Sequence, residues 1–144
     1  LVEATISLAK IAQNETIHTA IETVDFERYK PISKETVQSL LIKLKKFEEQ
    51  KNFTKKGLKL YDLANEFGTN EKYLSKIISI CRNKTFNQYL TDLRLDYLQE
   101  LKKEKTKTEN NKFLAEKIGF ESYSLFFRAY KERFQENPSS DEEI

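Results

Sequence analysis

The chain has few residues that could build a covalent or metal-held framework. It contains one cysteine, Cys81, and one histidine, His18, among 144 residues. Because a zinc site needs several Cys or His ligands and a disulfide needs a second cysteine, this composition excludes both. It also excludes catalysis by a Cys–His pair or a Ser–His–Asp triad, since no nucleophile motif surrounds His18. We therefore expect no enzyme activity, no cofactor and no metal site.

Glycine and proline are scarce as well, with three and two residues. Turns between strands rely on both residue types, so their scarcity argues against a sheet-rich fold and favours an all-α one. Apolar runs such as residues 40–42 are far shorter than the ~20 residues of a membrane span, and we expect a cytoplasmic chain without membrane contact. The sequence also lacks methionine, which predicts that the natural start is missing and that the chain is a fragment of a longer protein.

The charge of the chain changes along its length. The net charge is +2, from 25 Lys and Arg against 23 Asp and Glu. Residues 34–134 carry 22 basic and 14 acidic side chains, whereas the two ends together carry an excess of six acidic ones. A basic middle suits a polyanionic partner, although an ordinary solvated surface can have the same composition.

Apolar residues recur at helical spacing through most of the chain. The predicted helices cover about residues 34–51, 60–67, 71–81, 86–103, 113–118 and 122–134. Ser33 with Thr36, and Thr69 with Asn70, offer caps for the helices near them. Asn83 is suited to the left-handed conformation that ends a helix. Residues 1–33 also show a helical pattern, which is interrupted in places.

A short pattern occurs twice, at an offset of 51 residues. Residues 63–68 read Leu-Ala-Asn-Glu-Phe-Gly, and residues 114–119 read Leu-Ala-Glu-Lys-Ile-Gly. The small alanine lets two helices cross closely, and the glycine supplies the positive φ of a tight turn between them. This pattern is typical of a helix-turn-helix unit, whose second helix can enter a DNA major groove. Two such units are therefore predicted, joined by the helix over residues 86–103.

Several motifs carry a resemblance to a known family. They are Leu60–Ala64, Gly68–Ser75, Phe86–Leu90, Leu93–Arg94, Ile118–Phe120, and Phe126, Arg128, Tyr130 and Lys131 through to Pro138. On these motifs, over about residues 37–138, the chain resembles the DNA-binding domain of the AraC/XylS family of bacterial transcription regulators. The resemblance implies a homeodomain-like, all-α fold of seven helices, in which two helix-turn-helix subdomains share a linker helix. One recognition helix from each subdomain would enter successive major grooves.

The resemblance divides the chain into four parts. These are a helical linker or tail of a missing upstream sensor at 1–33, the first helix-turn-helix subdomain at 34–85, the linker helix at 86–103, and the second subdomain with an acidic tail at 104–144. At ~1.5 Å per residue the linker helix would be about 27 Å long, which is compatible with neighbouring grooves ~34 Å apart. The implied partners are double-stranded DNA, the sensor domain and, as a candidate, RNA polymerase.

The resemblance also implies which side chains face DNA from the recognition helices, at about 71–81 and 122–134. Base contacts are expected from Asn70, Lys72, Tyr73, Ser75 and Lys76 in the first unit and from Tyr123, Ser124, Leu125, Phe127 and Arg128 in the second. Lys76 and Arg128 are both candidates to donate to guanine, and Arg128 suits it better because its planar guanidinium matches O6 and N7. Leu125 and Phe127 suit thymine methyls. Phosphate contacts are expected from Lys59, Lys84, Arg94 and Lys131.

Two interpretations remain open for the location or contacts of some of these residues. Tyr123 lies either in the core or in the groove. Arg94 either contacts a phosphate or pairs with Asp62 or Asp92. The adjacent Glu48 and Glu49 point in different directions on a helix, and we interpret this pair as surface residues.

Two positions depart from the family pattern. Asn111 stands where the family usually has an apolar residue, and Gln135 stands where it usually has glycine. A glutamine in that left-handed position would cost on the order of 1 kcal/mol.

The rival function is a helical protein-interaction module without DNA affinity. A DNA-binding domain would present both recognition helices on one basic face, whereas an adaptor would expose an apolar groove.

Overall fold

The computed structural model describes residues 23–104 and 110–138. These ranges contain six α-helices and no strand, which confirms the all-α prediction. The helices are α1 (Lys34–Glu49), α2 (Leu60–Glu66), α3 (Glu71–Arg82), α4 (Phe86–Lys103), α5 (Asn111–Lys117) and α6 (Tyr123–Phe134). Two 3₁₀ turns lie on either side of α1, at Phe26–Tyr29 and Asn52–Thr54. The helix count in the described residues is one fewer than the family resemblance implies.

Parts of the sequence prediction lie outside the described residues. Most of the expected N-terminal helical segment, with His18, falls in residues 1–22, and the acidic tail falls in residues 139–144. Between residues 23 and 33 the structure has the short 3₁₀ turn at Phe26–Tyr29.

Side-chain caps decide where the helices begin. In α1, α3, α4, α5 and α6 the residue before the helix accepts a hydrogen bond from a first-turn N–H group, and these caps are Ser33, Asn70, Thr85, Asn110 and Ser122. The first N–H groups of a helix have no partner within the helix, so such caps satisfy them and fix the start. The observed starts lie within two residues of the predicted ones.

The two longer helices of the helix-turn-helix units end in left-handed residues. Asn83 follows α3 with a φ of 57°, as the sequence predicts. Gln135 follows α6 with a φ of 59°, although it is not glycine. Its side-chain amide Nε2 donates to the carbonyl of Glu132 at 2.7 Å, which holds this conformation in place.

The apolar residues form two cores, and α4 contributes to both. The first half of α4 supplies Phe86, Tyr89 and Leu90 to a core built with α1, α2 and α3. The second half supplies Leu95, Leu98 and Leu101 to a smaller core built with α5 and α6. The Tyr97 ring packs against both cores. The linker helix is therefore an integral part of both units.

The smaller core includes a polar residue at its edge. Asn111 is the first residue of α5 and only 4% of its surface is exposed. The family resemblance implies an apolar residue here. The structure shows the physical reason, since the position is buried against the second core.

We predict that Leu98→Ala lowers the free energy of unfolding by about 3 kcal/mol, because a fully buried leucine would leave a cavity in the second core. The matched control is Tyr61→Ala, a large side chain that is 61% exposed, with an expected change within about 0.5 kcal/mol. Urea unfolding, monitored by circular dichroism, measures the free energy of unfolding of both variants. Equal losses in the two variants would contradict the assignment of the second core.

Candidate nucleic-acid interface

The sequence repeat corresponds to a repeated backbone turn. After α2, the Gly68 N–H donates to the Asn65 carbonyl at 3.1 Å and the Thr69 N–H donates to the Ala64 carbonyl at 2.9 Å. After α5, the equivalent pairs are Gly119 to Glu116 at 3.1 Å and Phe120 to Ala115 at 3.0 Å. Both are Schellman motifs, in which a left-handed glycine closes the end of a helix. Each turn therefore delivers the chain to the capped start of the next helix, α3 or α6.

The outer face of α3 carries part of the predicted first site. Lys72 and Ser75 are exposed. Asn70 is also exposed, but its Oδ1 atom accepts from the Tyr73 N–H at 2.8 Å and so caps the helix. Tyr73 is partly buried and packs against the first core. The Tyr73 ring therefore contributes more to the packing of α3 on the core than to the exposed face of the helix.

Lys76 is engaged by the segment that precedes α1. Its Nζ atom donates to the carbonyl of Lys30. The same segment is fixed to the first core by Tyr29 and Ile32, which are 4% and 3% exposed. Lys76 would have to leave this carbonyl to reach a base.

The end of α3 is held by a network that the sequence interpretation missed. Arg82 donates from Nε and Nη2 to the two carboxylate oxygens of Glu48, at 2.9 Å and 3.1 Å. The Tyr89 hydroxyl donates to Glu48 Oε2 at 2.5 Å. The surface interpretation of Glu48 is therefore wrong, because only 18% of its side chain is exposed. This network connects α3 to α1 and α4.

The network also changes the proton affinities of its members. Burial and the hydrogen bond to the Glu48 carboxylate raise the pKa of Tyr89. The same carboxylate raises the pKa of Arg82. Next to it, burial raises the pKa of the Cys81 thiol. All three groups therefore keep their protons at neutral pH.

The outer face of α6 is more apolar than that of α3. Phe126 is fully buried, while Ser124, Leu125, Arg128 and Lys131 are exposed. Phe127 is partly buried.

Tyr123 lies partly against the core and partly on the exposed face of α6, so both interpretations of its location apply. Its ring centroid lies 5.7 Å from that of Phe126 and 6.3 Å from that of Phe127, yet 39% of the residue is exposed. Part of the Tyr123 ring therefore packs on Phe126 and Phe127, and the rest is exposed to solvent.

A cleft of about 840 Å³ separates the first unit from α6. The predicted residues that line it are Lys59, Lys84, Arg94, Leu125 and Arg128. The predicted residues of α3 do not line this cleft, and neither do Tyr123, Ser124, Phe127 or Lys131. The predicted site is therefore divided between the cleft and the exposed faces of the two helices.

Several cations around the cleft have acidic neighbours. The Lys84 Nζ atom lies 2.8 Å from Asp92 Oδ2. Arg133 donates to the Asp92 carbonyl at 3.0 Å and to the carboxylate of Asp96. Sequence reasoning did not single out Arg133, since its partners lie about 40 residues away on α4 and no local signal marks them. Lys59 and Lys131 are exposed.

Arg94 makes neither of the ion pairs considered from the sequence. Its Nε atom donates to the Phe53 carbonyl at 2.8 Å, and its Nη2 atom donates to the Lys55 carbonyl at 3.1 Å. Burial lowers the pKa of this guanidinium, and Glu121 opposes the shift. Arg94 therefore serves contacts inside the fold, which argues against the phosphate role expected from the resemblance.

Two helix-turn-helix units around a shared helix define a double helix-turn-helix domain. A family model described as a helix-turn-helix domain, of the AraC type, matches residues 63–142. The chain belongs to this AraC-type family of DNA-binding transcription regulator domains. Comparisons with curated proteins and with solved structures gave no match. Across residues 23–104 and 110–138, no helix has the length and apolar character to cross a membrane.

We predict that Asn70→Ala and Ser122→Ala each lower the free energy of unfolding by about 1 kcal/mol, because each removes the cap of a helix, α3 or α6. Ser39→Ala is the matched control, since Ser39 is exposed within α1 and caps no helix. Thermal unfolding of the three variants measures the effect. An equal response of Ser39→Ala would show that the caps contribute nothing specific.

Proposed function

We propose that this chain binds double-stranded DNA sequence-specifically, as the DNA-binding domain of a bacterial AraC-type regulator. In this proposal α3 and α6 enter successive major grooves. The observation that carries it is the duplicated turn, Gly68 after α2 and Gly119 after α5, each followed by a capped helix with an exposed face. Family membership supports DNA binding over the rival adaptor function.

The length of α4 is consistent with two grooves on one side of a duplex. Its 18 residues span about 27 Å at ~1.5 Å per residue. Major-groove positions one helical turn apart are separated by ~34 Å. Because the two units lie toward opposite ends of α4, both recognition helices can engage DNA at once without a flexible linker.

The two units offer different chemistry to the bases. In the first unit, Lys72 and Ser75 present a charged and a hydroxyl donor, and Lys76 joins them if it leaves the Lys30 carbonyl. In the second unit, Arg128 is proposed to donate to guanine O6 and N7, while Leu125 contacts a thymine methyl. Tyr123, Ser124 and Phe127 complete this second contact surface, which is more apolar than the first.

Phosphate contacts are proposed to come from the lysines around the helices. Lys59 directly precedes α2, Lys131 lies in the last turn of α6, and both are exposed. Lys84 would exchange its contact with Asp92 for a phosphate oxygen. Such contacts position the protein on DNA but do not select sequence.

The remaining partners belong to the whole regulator. An upstream sensor would precede residue 34, and RNA polymerase would contact the regulator at the promoter, in the cytoplasm. Neither DNA binding nor these contacts require a cofactor or a catalytic residue in this chain.

The proposal is tested by selecting bound duplexes from a random library and titrating them by fluorescence anisotropy at two salt concentrations. We expect a bipartite site with its halves one helical turn apart, bound at least ~1,000-fold more tightly than random DNA. A single short half-site would show that one unit alone reads bases. No binding at low salt would contradict the proposal and favour the adaptor.

Arg128→Ala and Lys131→Ala form a matched pair, since both remove one exposed cation from α6. We predict that Arg128→Ala weakens binding to the selected site by ~1–3 kcal/mol and relaxes the preference at one base pair. Lys131→Ala should weaken all duplexes alike and reduce the salt slope by about 1. If Arg128→Ala weakened selected and random duplexes equally, Arg128 would be a phosphate contact instead.

A further inference from the structure

We infer that the contact between Arg94 and Gly119 fixes the orientation of the two helix-turn-helix units, and with it the spacing of the half-sites that the domain accepts. Arg94 is thus a positioning residue for DNA recognition. The part of the inference that concerns half-sites rests on the proposed function, whereas the orientation of the units does not.

Arg94 lies on α4 but its hydrogen bonds go to the first unit. Its guanidinium donates to the carbonyls of Phe53 and Lys55, in and just after the 3₁₀ turn at Asn52–Thr54. Its Cζ atom also lies 5.8 Å from the centroid of the Phe120 ring, which belongs to the second unit. One side chain therefore contacts a turn of the first unit and the start of the turn that leads into α6.

Gly119 makes the close approach at this point possible. A Cβ atom at this position would lie 2.7 Å from Arg94 Nε, 2.9 Å from the Thr54 carbonyl oxygen and 3.0 Å from the Phe53 carbonyl oxygen. Two of these neighbours are backbone atoms, which cannot rotate away. The φ of Gly119, +112°, is also unfavourable for any residue with a side chain. The second unit can approach the first this closely only with glycine here.

The place of Gly119 in the chain links this contact to recognition. It lies three residues before Ser122, the cap of α6. A displacement of Gly119 would therefore move the start of the second recognition helix. α4 sets the distance between the units along its axis, whereas a contact away from that axis limits rotation of one unit about it.

The ion pair between Lys56 and Glu116 also crosses the boundary between the units, but it is a weaker candidate for this role. Lys56 Nζ lies 2.8 Å from Glu116 Oε1, but their side chains are 45% and 68% exposed. An exposed pair of this kind is screened by solvent and contributes little. It provides a matched control, because Lys56→Ala also removes one positive charge at the same boundary.

The first test measures orientation without DNA. Nitroxide labels are attached to cysteines introduced by Ser75→Cys and Ser124→Cys, in a Cys81→Ser background. Pulsed electron paramagnetic resonance then measures the distance between α3 and α6. The parent and Lys56→Ala should each give one narrow distribution. Arg94→Lys keeps the positive charge but loses the planar guanidinium that donates to two carbonyls. Gly119→Ala adds the Cβ atom that would clash. Both should broaden or shift the distribution while the circular dichroism spectrum stays helical.

The second test measures half-site spacing with the duplex that the parent selects from a random library. One base pair added between the halves rotates the second half by about 35°. We expect the parent and Lys56→Ala to lose on the order of tenfold in affinity for this duplex, comparable to one mismatched base pair. The loss for Arg94→Lys should be clearly smaller, about threefold or less, because a looser orientation tolerates the rotation.

The outcomes separate the two proposals. Unchanged distance distributions in both Arg94→Lys and Gly119→Ala would overturn the inference, whatever the DNA results. A uniform loss of affinity at every spacing would overturn the part of the inference that concerns half-site spacing and would make Arg94 a phosphate contact. If the parent bound no duplex, the proposed function would fail, and the distance measurement alone would decide whether Arg94 orients the units.

Discussion

A single helix that supplies two hydrophobic cores is the constraint on which the rest of this structure depends. Along α4 the buried side chains pass from the first core, at Leu90, to the second core, at Leu95, in less than two helical turns. Neither core could be completed without its half of the helix. Folding of the two units is therefore connected through α4, and their separation is a property of a rigid element. In a DNA-binding domain this rigidity lowers the entropic cost of placing two recognition helices at once.

The features predicted from the sequence are those with local causes. Helix starts follow from caps such as Ser33 and Asn70, each of which accepts from the N–H group three residues further along the chain. The repeated turn follows from one glycine in each unit. The partners of Arg94 and Tyr89, by contrast, lie 41 residues away in the chain. No local signal shows that Glu48 will accept from two helices, because that depends on how the helices pack.

The two units reach a stable structure by different means. The first is held by the polar network of Glu48, Arg82 and Tyr89 around a large core. The second has fewer helices and a polar residue in its core, but it has a continuous series of aromatic rings. Phe120, Phe126, Tyr130 and Phe134 lie 5.6, 5.8 and 4.6 Å apart in turn, measured between ring centroids. Such contacts add to the stabilisation from buried area.

The hydrogen bond from Lys76 to the Lys30 carbonyl connects the chain before α1 directly to α3. A force on the backbone at residue 30 would act directly on the Lys76 side chain of α3, without first distorting a core. The buried side chains of Tyr29 and Ile32 hold the same segment on the first core. A displacement of this segment would therefore expose apolar surface and break the hydrogen bond to Lys76 at the same time. A movement upstream of α1 that broke this hydrogen bond would free the Lys76 ammonium group on α3 for other partners.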